Sequence, residues 1–343
     1  MRVFHSEYHK DHFPAGELSG GRFVTPFERP SRIDNILNRL NQRGFDDIVA
    51  PTPPDMDRIG ALCTPDYLTF LKTAWNDWQA MGYAGDVIAT SFPARRMRTG
   101  HPPDTVEGKA AYYALSTESA ITAGTWNAAL WSAACAQSAV AHVKAGASSA
   151  FALCRPPGHH ATADMYGGYC FLNNAALAAE AFRTGGARRV AIVDIDFHHG
   201  NGTQDIFYNR GDVFFASLHG APEQMFPYFL GFADERGAGT GEGGNANYPM
   251  PPGTRYGDWG RALDDALSKV VAFGPEALVI SLGVDAYKDD PISFFELEST
   301  DFLRAGARLG ALAVPTVLCM EGGYAIEQVG VNTVNVLEGF LNA

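Results

Sequence analysis

Cysteine is scarce. The five present, Cys63, Cys135, Cys154, Cys170 and Cys319, are scattered and form no C-x-x-C pair. They provide no disulfide framework and read as reduced, mostly buried thiols of a cytosolic protein. Positive charge is also in short supply: 26 Lys and Arg stand against 38 Asp and Glu, a formal net charge of −12. No nucleic-acid partner is expected, because the best basic cluster, Arg95-Arg96-Met97-Arg98, is short. An acidic surface favours cationic over anionic substrates, although many soluble proteins are acidic without such a purpose. No run of about 18 apolar residues is long enough for a membrane span. Met1 to His5 leads straight into a strand-like start, so neither a signal peptide nor a membrane partner is expected. Repeats, low-complexity stretches and long Pro/Gly/Ser linkers are missing too. The 343 residues, 46% hydrophobic and 19% charged, are therefore expected to form one large domain over residues 1–343.

What is present is an alternation. Residues 1–6 read as a strand, 7–30 as a long loop, 31–43 as an amphipathic helix stopped by Gly44, and 46–50 as a short strand. Residues 53–82 read as helix in two pieces, 83–118 as an irregular insertion, and 118–145 as a long Ala-rich helix. Strand candidates then fall at 148–154, 190–196, 212–219, 276–285 and 314–320, with helices at 173–184, 257–273, 300–311 and 330–342. Residues 220–256 read as another long loop. Alternation of this kind predicts an α/β fold, a mostly parallel sheet with helices on both faces.

The chemistry gathers after the strands. Asp194, Asp196 and His198 stand at every second position after the apolar run Val190–Val193. In an extended segment, side chains at i, i+2 and i+4 point one way. Open α/β sheets place their sites at that carboxyl end. Three other strand candidates end in polar residues: Arg155-Pro156-Pro157-Gly158-His159-His160, Ser281-Leu282-Gly283-Val284-Asp285, and Glu321-Gly322-Gly323-Tyr324. A lone Asp after a strand is often only a helix cap. Together, however, Asp196, His198 and Asp285 make a three-ligand metal site with an open position. His159 and His160 are suited to moving a proton, and Tyr324 to donating a hydrogen bond to an oxyanion. The combination predicts metal-assisted amide hydrolysis.

The blocks RPPGHHA, DIDFHHGNGTQ, SLGVDA and EGGY, in that order, resemble the signatures of the arginase–deacetylase superfamily. Within it the chain closely resembles the bacterial acetylpolyamine amidohydrolases, including at Thr25-Pro26-Phe27-Glu28, Thr90-Ser91-Phe92-Pro93 and Pro291-Ile292-Ser293-Phe294-Phe295. The resemblance implies the single-domain arginase–deacetylase fold with about eight strands. It implies catalytic zinc, or ferrous iron, held by Asp196, His198 and Asp285. It implies His160 as general base and acid, His159 as its electrostatic partner oriented by Asp194, and Tyr324 polarising the acetyl carbonyl. It further implies tunnel walls from Gly168, Tyr169 and Phe226. A structural potassium ion would lie at Asp194, Ser217 and Leu218, with the main chain of Asp196 and His198, and a second such site near Phe207 and Val213.

Some deacetylases carry an Asp behind the second histidine, whereas this chain has Asn201. His160 is expected to be less basic for it, and the division of acid and base work between the two histidines stays open. Glu17, Glu107 and Glu118 resemble carboxylates at the tunnel mouth, with ordinary solvated carboxylates as the alternative. The 83–118 insertion resembles a segment that supports a homodimer and narrows the entrance. The expected activity is cytoplasmic hydrolysis of small cationic N-acetylpolyamines. Action on acetyl-lysine in proteins is the alternative.

Overall fold

The computed structural model describes residues 1–343. Ten strands form. Two of them, β2 (Glu17–Ser19) and β3 (Arg22–Val24), make an antiparallel hairpin. The other eight are β1 (Arg2–Phe4), β4 (Ile48–Val49), β5 (Ser149–Ala152), β6 (Val190–Asp194), β7 (Val213–Gly220), β8 (Asn245–Met250), β9 (Ala277–Leu282) and β10 (Thr316–Met320). They lie in the order β4-β1-β5-β10-β9-β6-β7-β8, and every neighbouring pair is parallel.

The ten helices are α1 (Ser31–Gln42), α2 (Met56–Leu62), α3 (Pro65–Ala80), α4 (Val106–Tyr113), α5 (Thr125–Lys144), α6 (Asn174–Thr184), α7 (Asn201–Phe207), α8 (Tyr256–Phe273), α9 (Ser299–Gly310) and α10 (Ile326–Leu341). The central strands are unbroken apolar runs because both faces of the sheet are covered. Ala191, Val193, Leu278, Ile280 and Leu318 pack into one apolar layer with side chains of α1, α8, α9 and α10. Their neighbours Val190, Ile192, Ala277, Val279 and Val317 pack into the opposite layer, with α5 and α6. Successive residues thus serve opposite faces, as the pleat dictates. Both α5 and α6 are alanine-rich on their buried sides. A third apolar cluster joins α2, α3 and α4 to the outer side of α5.

Five features differ from the sequence expectation. The insertion is not wholly irregular: α4 forms inside it, capped where Thr105 Oγ1 accepts from Gly108 N–H at 3.2 Å. The long helix starts at Thr125 rather than 118, because Thr125 Oγ1 accepts from Thr122 N–H at 2.7 Å and ends the preceding turn. The 220–256 loop contains β8, an edge strand that tolerates Pro249. The stretch after His199 becomes the short helix α7, and the 7–30 loop contains the β2–β3 hairpin.

Strand order positions the site. The four polar blocks follow β5, β10, β9 and β6, which are adjacent in the sheet. Asp194 stands level with Ser281, Ser281 with Cys319, and Cys319 with Ala152. All four strands therefore deliver their blocks to one edge of the sheet.

Candidate active site

Asp196, His198 and Asp285 are buried, and each offers one ligand atom within 4.8 Å of the others. His198 Nδ1 lies 3.3 Å from Asp196 Oδ1 and 3.0 Å from Asp285 Oδ2. The second carboxylate oxygens are held by backbone: Gly322 N–H donates to Asp196 Oδ2 at 2.7 Å, and Phe197 N–H to Asp285 Oδ1 at 2.7 Å. Gly322 is required here, because a Cβ on it would lie 2.5 Å from both Asp196 Oδ2 and Asp285 Oδ2.

The cluster is built for positive charge. Burial and the facing Asp196 charge push the Asp285 carboxyl up to about 8. Burial also works against Asp196, yet His159 and His198 hold it below the usual carboxylate range. Burial would lower His198, but hydrogen bonds to Asp196 and Asp285 outweigh it and raise the imidazole to about 10. Such a histidine holds a proton where a cation would otherwise sit. Two carboxylates and an imidazole at this spacing fit a divalent metal ion.

The tandem histidines stand beside this cluster, their rings 4.0 Å apart. His159 Nδ1 meets Asp194 Oδ2 at 3.0 Å, and its Nε2 lies 3.8 Å from Asp196 Oδ1. Burial opposes its charge, but Asp196 and Asp194 prevail and raise it to about 10. His160 Nδ1 lies 2.7 Å from Asn201 Oδ1, while Asn201 Nδ2 donates to the His160 carbonyl at 3.3 Å. That second bond orients the amide, so His160 Nδ1 is the donor and its Nε2 keeps a free lone pair. Burial, then His159 and His198, hold His160 well below its ordinary value.

Tyr324 completes the set. Burial raises its hydroxyl well above the ordinary value, so it stays protonated and able to donate. The Arg32 guanidinium carbon lies 4.8 Å from its ring centroid, and the Tyr169 ring lies 5.6 Å away.

These groups open into a pocket of about 260 Å³. His160, His198 and Tyr324 are at its base. Gly168, Tyr169, Phe226, Met225 and Ile292 line its sides, with Glu17 and Glu118 also on the wall. The Phe226 ring stands edge-on to His160 at 5.0 Å. Gly168 has φ +54°, and a Cβ there would come within 2.2 Å of His160 Cδ2. Tyr169 adopts φ +67°, a costly conformation for a bulky residue, which stands where its amide donates to Ser119 Oγ at 2.7 Å and its hydroxyl to Glu17 Oε1 at 3.0 Å. Burial pushes Glu17 up to about 7, against the opposing bonds from Tyr169 and the Phe27 amide.

Not every expected residue lies here. Glu107 is exposed in the first turn of α4, bonded to the Tyr83 hydroxyl, and does not line the pocket. An acidic residue two places after a threonine cap serves its own helix. Ser217 and Leu218 lie on β7, with Ser217 level with Asp194 and its Oγ 2.8 Å from His219 Nδ1. Phe207 and Val213 close α7 and open β7.

Four buried residues around the site, Glu28, Arg32, Arg155 and Glu321, have no role assigned from the sequence. Glu28 Oε1 accepts from Arg32 Nη1 at 3.0 Å and from Arg155 Nε at 2.8 Å. Arg32 also donates to the carbonyls of Gly323 at 2.7 Å and Glu321 at 2.6 Å. Glu321 in turn accepts from the amides of Gly158 at 2.6 Å and His159 at 3.1 Å, tying the tyrosine loop to the histidine turn. A carboxylate following Phe27 and an Arg opening the RPPGHH turn were visible, but nothing in the sequence paired them across 127 positions. Replacing Glu28 by Ala strands two buried guanidinium groups, so Glu28→Ala is expected to cost about 3–5 kcal/mol, measured by urea unfolding.

The histone deacetylase domain family matches residues 26–340 of this chain. The acetylpolyamine amidohydrolase of Mycoplana ramosa is 53% identical over 339 residues, covering 99% of this chain and 99% of that protein. Acetylpolyamine amidohydrolase 1 of Pseudomonas aeruginosa is 53% identical over 344 residues, covering 100% of this chain and 99% of its own length. Among solved structures, an acetylpolyamine aminohydrolase from Burkholderia pseudomallei superimposes with a TM-score of 0.93 at 41% identity, covering 99% of this chain and 98% of that one.

Proposed function

The chain belongs to the histone deacetylase family, and from that premise we propose that it removes the acetyl group from small N-acetylated polyamines, releasing acetate and a free amine. It is a hydrolytic enzyme of the amidohydrolase type. The observation that carries the substrate reading is the small pocket itself, about 260 Å³, lined by His160 and Tyr324 together with the carboxylates Glu17 and Glu118. Acetylputrescine, acetylcadaverine and acetylspermidine have the slender cationic shape this pocket suits.

Asp196, His198 and Asp285 fit zinc, with ferrous iron tolerated by the same donors. When bound, the ion supplies Lewis-acid polarisation of the acetyl carbonyl and of an attacking water. The chain's own groups do the rest. His160, neutral and with Nε2 free, accepts the proton from the water. His159, kept charged beside Asp194 and Asp196, stabilises the negative charge that develops, and His160, which lines the pocket, returns the proton to the leaving amine. Tyr324 donates its hydroxyl hydrogen bond to the carbonyl oxygen as it becomes an oxyanion. Asp194, Ser217 and Leu218 offer hard oxygen donors suited to potassium, which would brace the turn carrying Asp196 and His198. Asn201 sets the tautomer of His160.

A homodimer and a cytoplasmic location belong to the same reading. No helix of the chain is long and apolar enough to cross a membrane. The 83–118 insertion is the segment proposed to support the dimer.

Tyr324→Phe is expected to lower kcat by about 10²–10³-fold while metal content is kept, since one oxyanion donor is lost. Wild-type turnover in that variant overturns the role. In a panel of N-acetylated putrescine, cadaverine and spermidine against acetyl-lysine peptides, the polyamines should show the higher kcat/KM. A preference for peptides would establish the protein-deacetylase alternative. Glu17 has its own signature. Below about 7 it is protonated and neutral, and above that it carries the charge that attracts a cation. KM for N-acetylputrescine should therefore fall as pH rises through this value, and Glu17→Gln should flatten that dependence.

A further inference from the structure

Glu321, Gly322 and Gly323 lead into Tyr324. Two glycines in succession give a backbone that by itself holds no direction, and Gly323 sits at φ +128°. A hydroxyl that donates to an oxyanion has to be held to a fraction of an ångström, so something else must remove this freedom. The peptide unit between Gly323 and Tyr324 shows what does. Its carbonyl oxygen accepts from Arg32 Nε at 2.7 Å, and its N–H donates to Asp290 Oδ2 at 2.7 Å. A buried cation and a buried carboxylate grip opposite ends of one peptide dipole, which fixes its plane and hence the direction of the Tyr324 Cα–Cβ bond.

Asp290 is suited to this. It is 7% exposed, and no cationic side chain is bonded to it. Its Oδ2 also accepts from Ala325 N–H at 3.2 Å, and its Oδ1 from Ile292 N–H at 3.1 Å. All three partners are backbone donors. Tyr324 and Ala325 immediately precede α10, whose cap residue Ala325 has no side chain able to accept. Asp290 therefore caps this helix from a distant loop, placing negative charge at its N-terminus. The bond to Ile292 locks the carboxylate itself and links the tyrosine to a residue of the pocket wall.

We infer that Asp290 is a positioning residue of the deacetylation reaction: its carboxylate, by holding the Tyr324 and Ala325 amides, aims the Tyr324 hydroxyl at the acetyl oxygen. The inference rests on the proposed role of Tyr324.

The test is a double-mutant cycle on the metal-loaded enzyme with N-acetylputrescine. Asp290→Asn keeps the shape but turns an N–H donor toward one of the three amides. It is expected to lower kcat by about 10–100-fold with little change in KM, as displacement of a catalytic group by about 1 Å does. In a Tyr324→Phe background the same substitution should lower the residual kcat by less than about threefold, because coupled residues are not additive. Should Asp290→Asn fail to fold, Asp290→Glu, which keeps the acceptor and shifts it by one methylene, is expected to show the same kcat loss and the same coupling. Equal losses in both backgrounds, or a rise in KM with kcat unchanged, overturn the inference. A large loss in Tyr324→Phe beside wild-type kcat in Asp290→Asn sinks the inference alone. Full activity in Tyr324→Phe sinks the functional reading and the role of Asp290 with it.

Discussion

The structure depends on how much negative charge is buried at one edge of one sheet. Asp194, Asp196, Asp285 and Glu321 are fully buried there and Asp290 nearly so. Carboxylates withdrawn from water at this density repel one another, and each one needs donors or positive charge. The chain supplies some of this itself. Asp194 takes the His159 imidazole, Glu321 and Asp290 take backbone amides, and Glu28 absorbs the two nearest guanidinium groups so that they do not quench the cluster. What is left over, at Asp196 and Asp285, faces the His198 imidazole, with the His159 ring 3.8 Å from Asp196. The residual demand for positive charge is what fits these residues to the proposed metal ion, and it arises from the surrounding bonds as much as from the three side chains themselves.

The remaining machinery follows from that arrangement. A strongly anionic neighbourhood keeps His159 charged, and a charged His159 keeps its neighbour His160 neutral. Two identical side chains, adjacent in sequence, are shifted in opposite directions: Asp196 and Asp194 raise His159, while burial and the neighbouring His159 and His198 lower His160, whose bond to Asn201 does not offset them.

The clustering of Asp196, His198 and Asp285 was legible because polar residues directly after buried parallel strands collect at one sheet edge, although β6 was expected to run to 196 and ends at Asp194, so that Asp196 and His198 lie in the bend beyond it and Asp285 lies beyond β9. The supports were not legible. Asp290 stands in an Asp-Asp-Pro turn, where a carboxylate is ordinary, and its partners are backbone groups with no sequence signature. Glu28, Arg32 and Arg155 are distant in the chain and meet only because α1 and the turn after β5 converge behind the tyrosine loop. Glu107 was placed at the mouth by likeness alone, while the cap at Thr105 was the local signal that it belonged to a helix start. The fold read well in its core, where apolar runs are unambiguous. It read poorly at the edge strand β8, whose Asn, Tyr and Pro carry no apolar run.

The strand order has a consequence for biosynthesis. β10 is the last strand to be made, yet it lies between β5 and β9. Until residue 320 has left the ribosome, the nascent sheet is two partial sheets with unpaired inner edges, each a template for the wrong partner. Tyr324, the proposed oxyanion donor, lies in the loop that follows β10. Completion of the sheet and completion of the candidate site are thus one event, and no shorter nascent chain can assemble that site before the fold is closed.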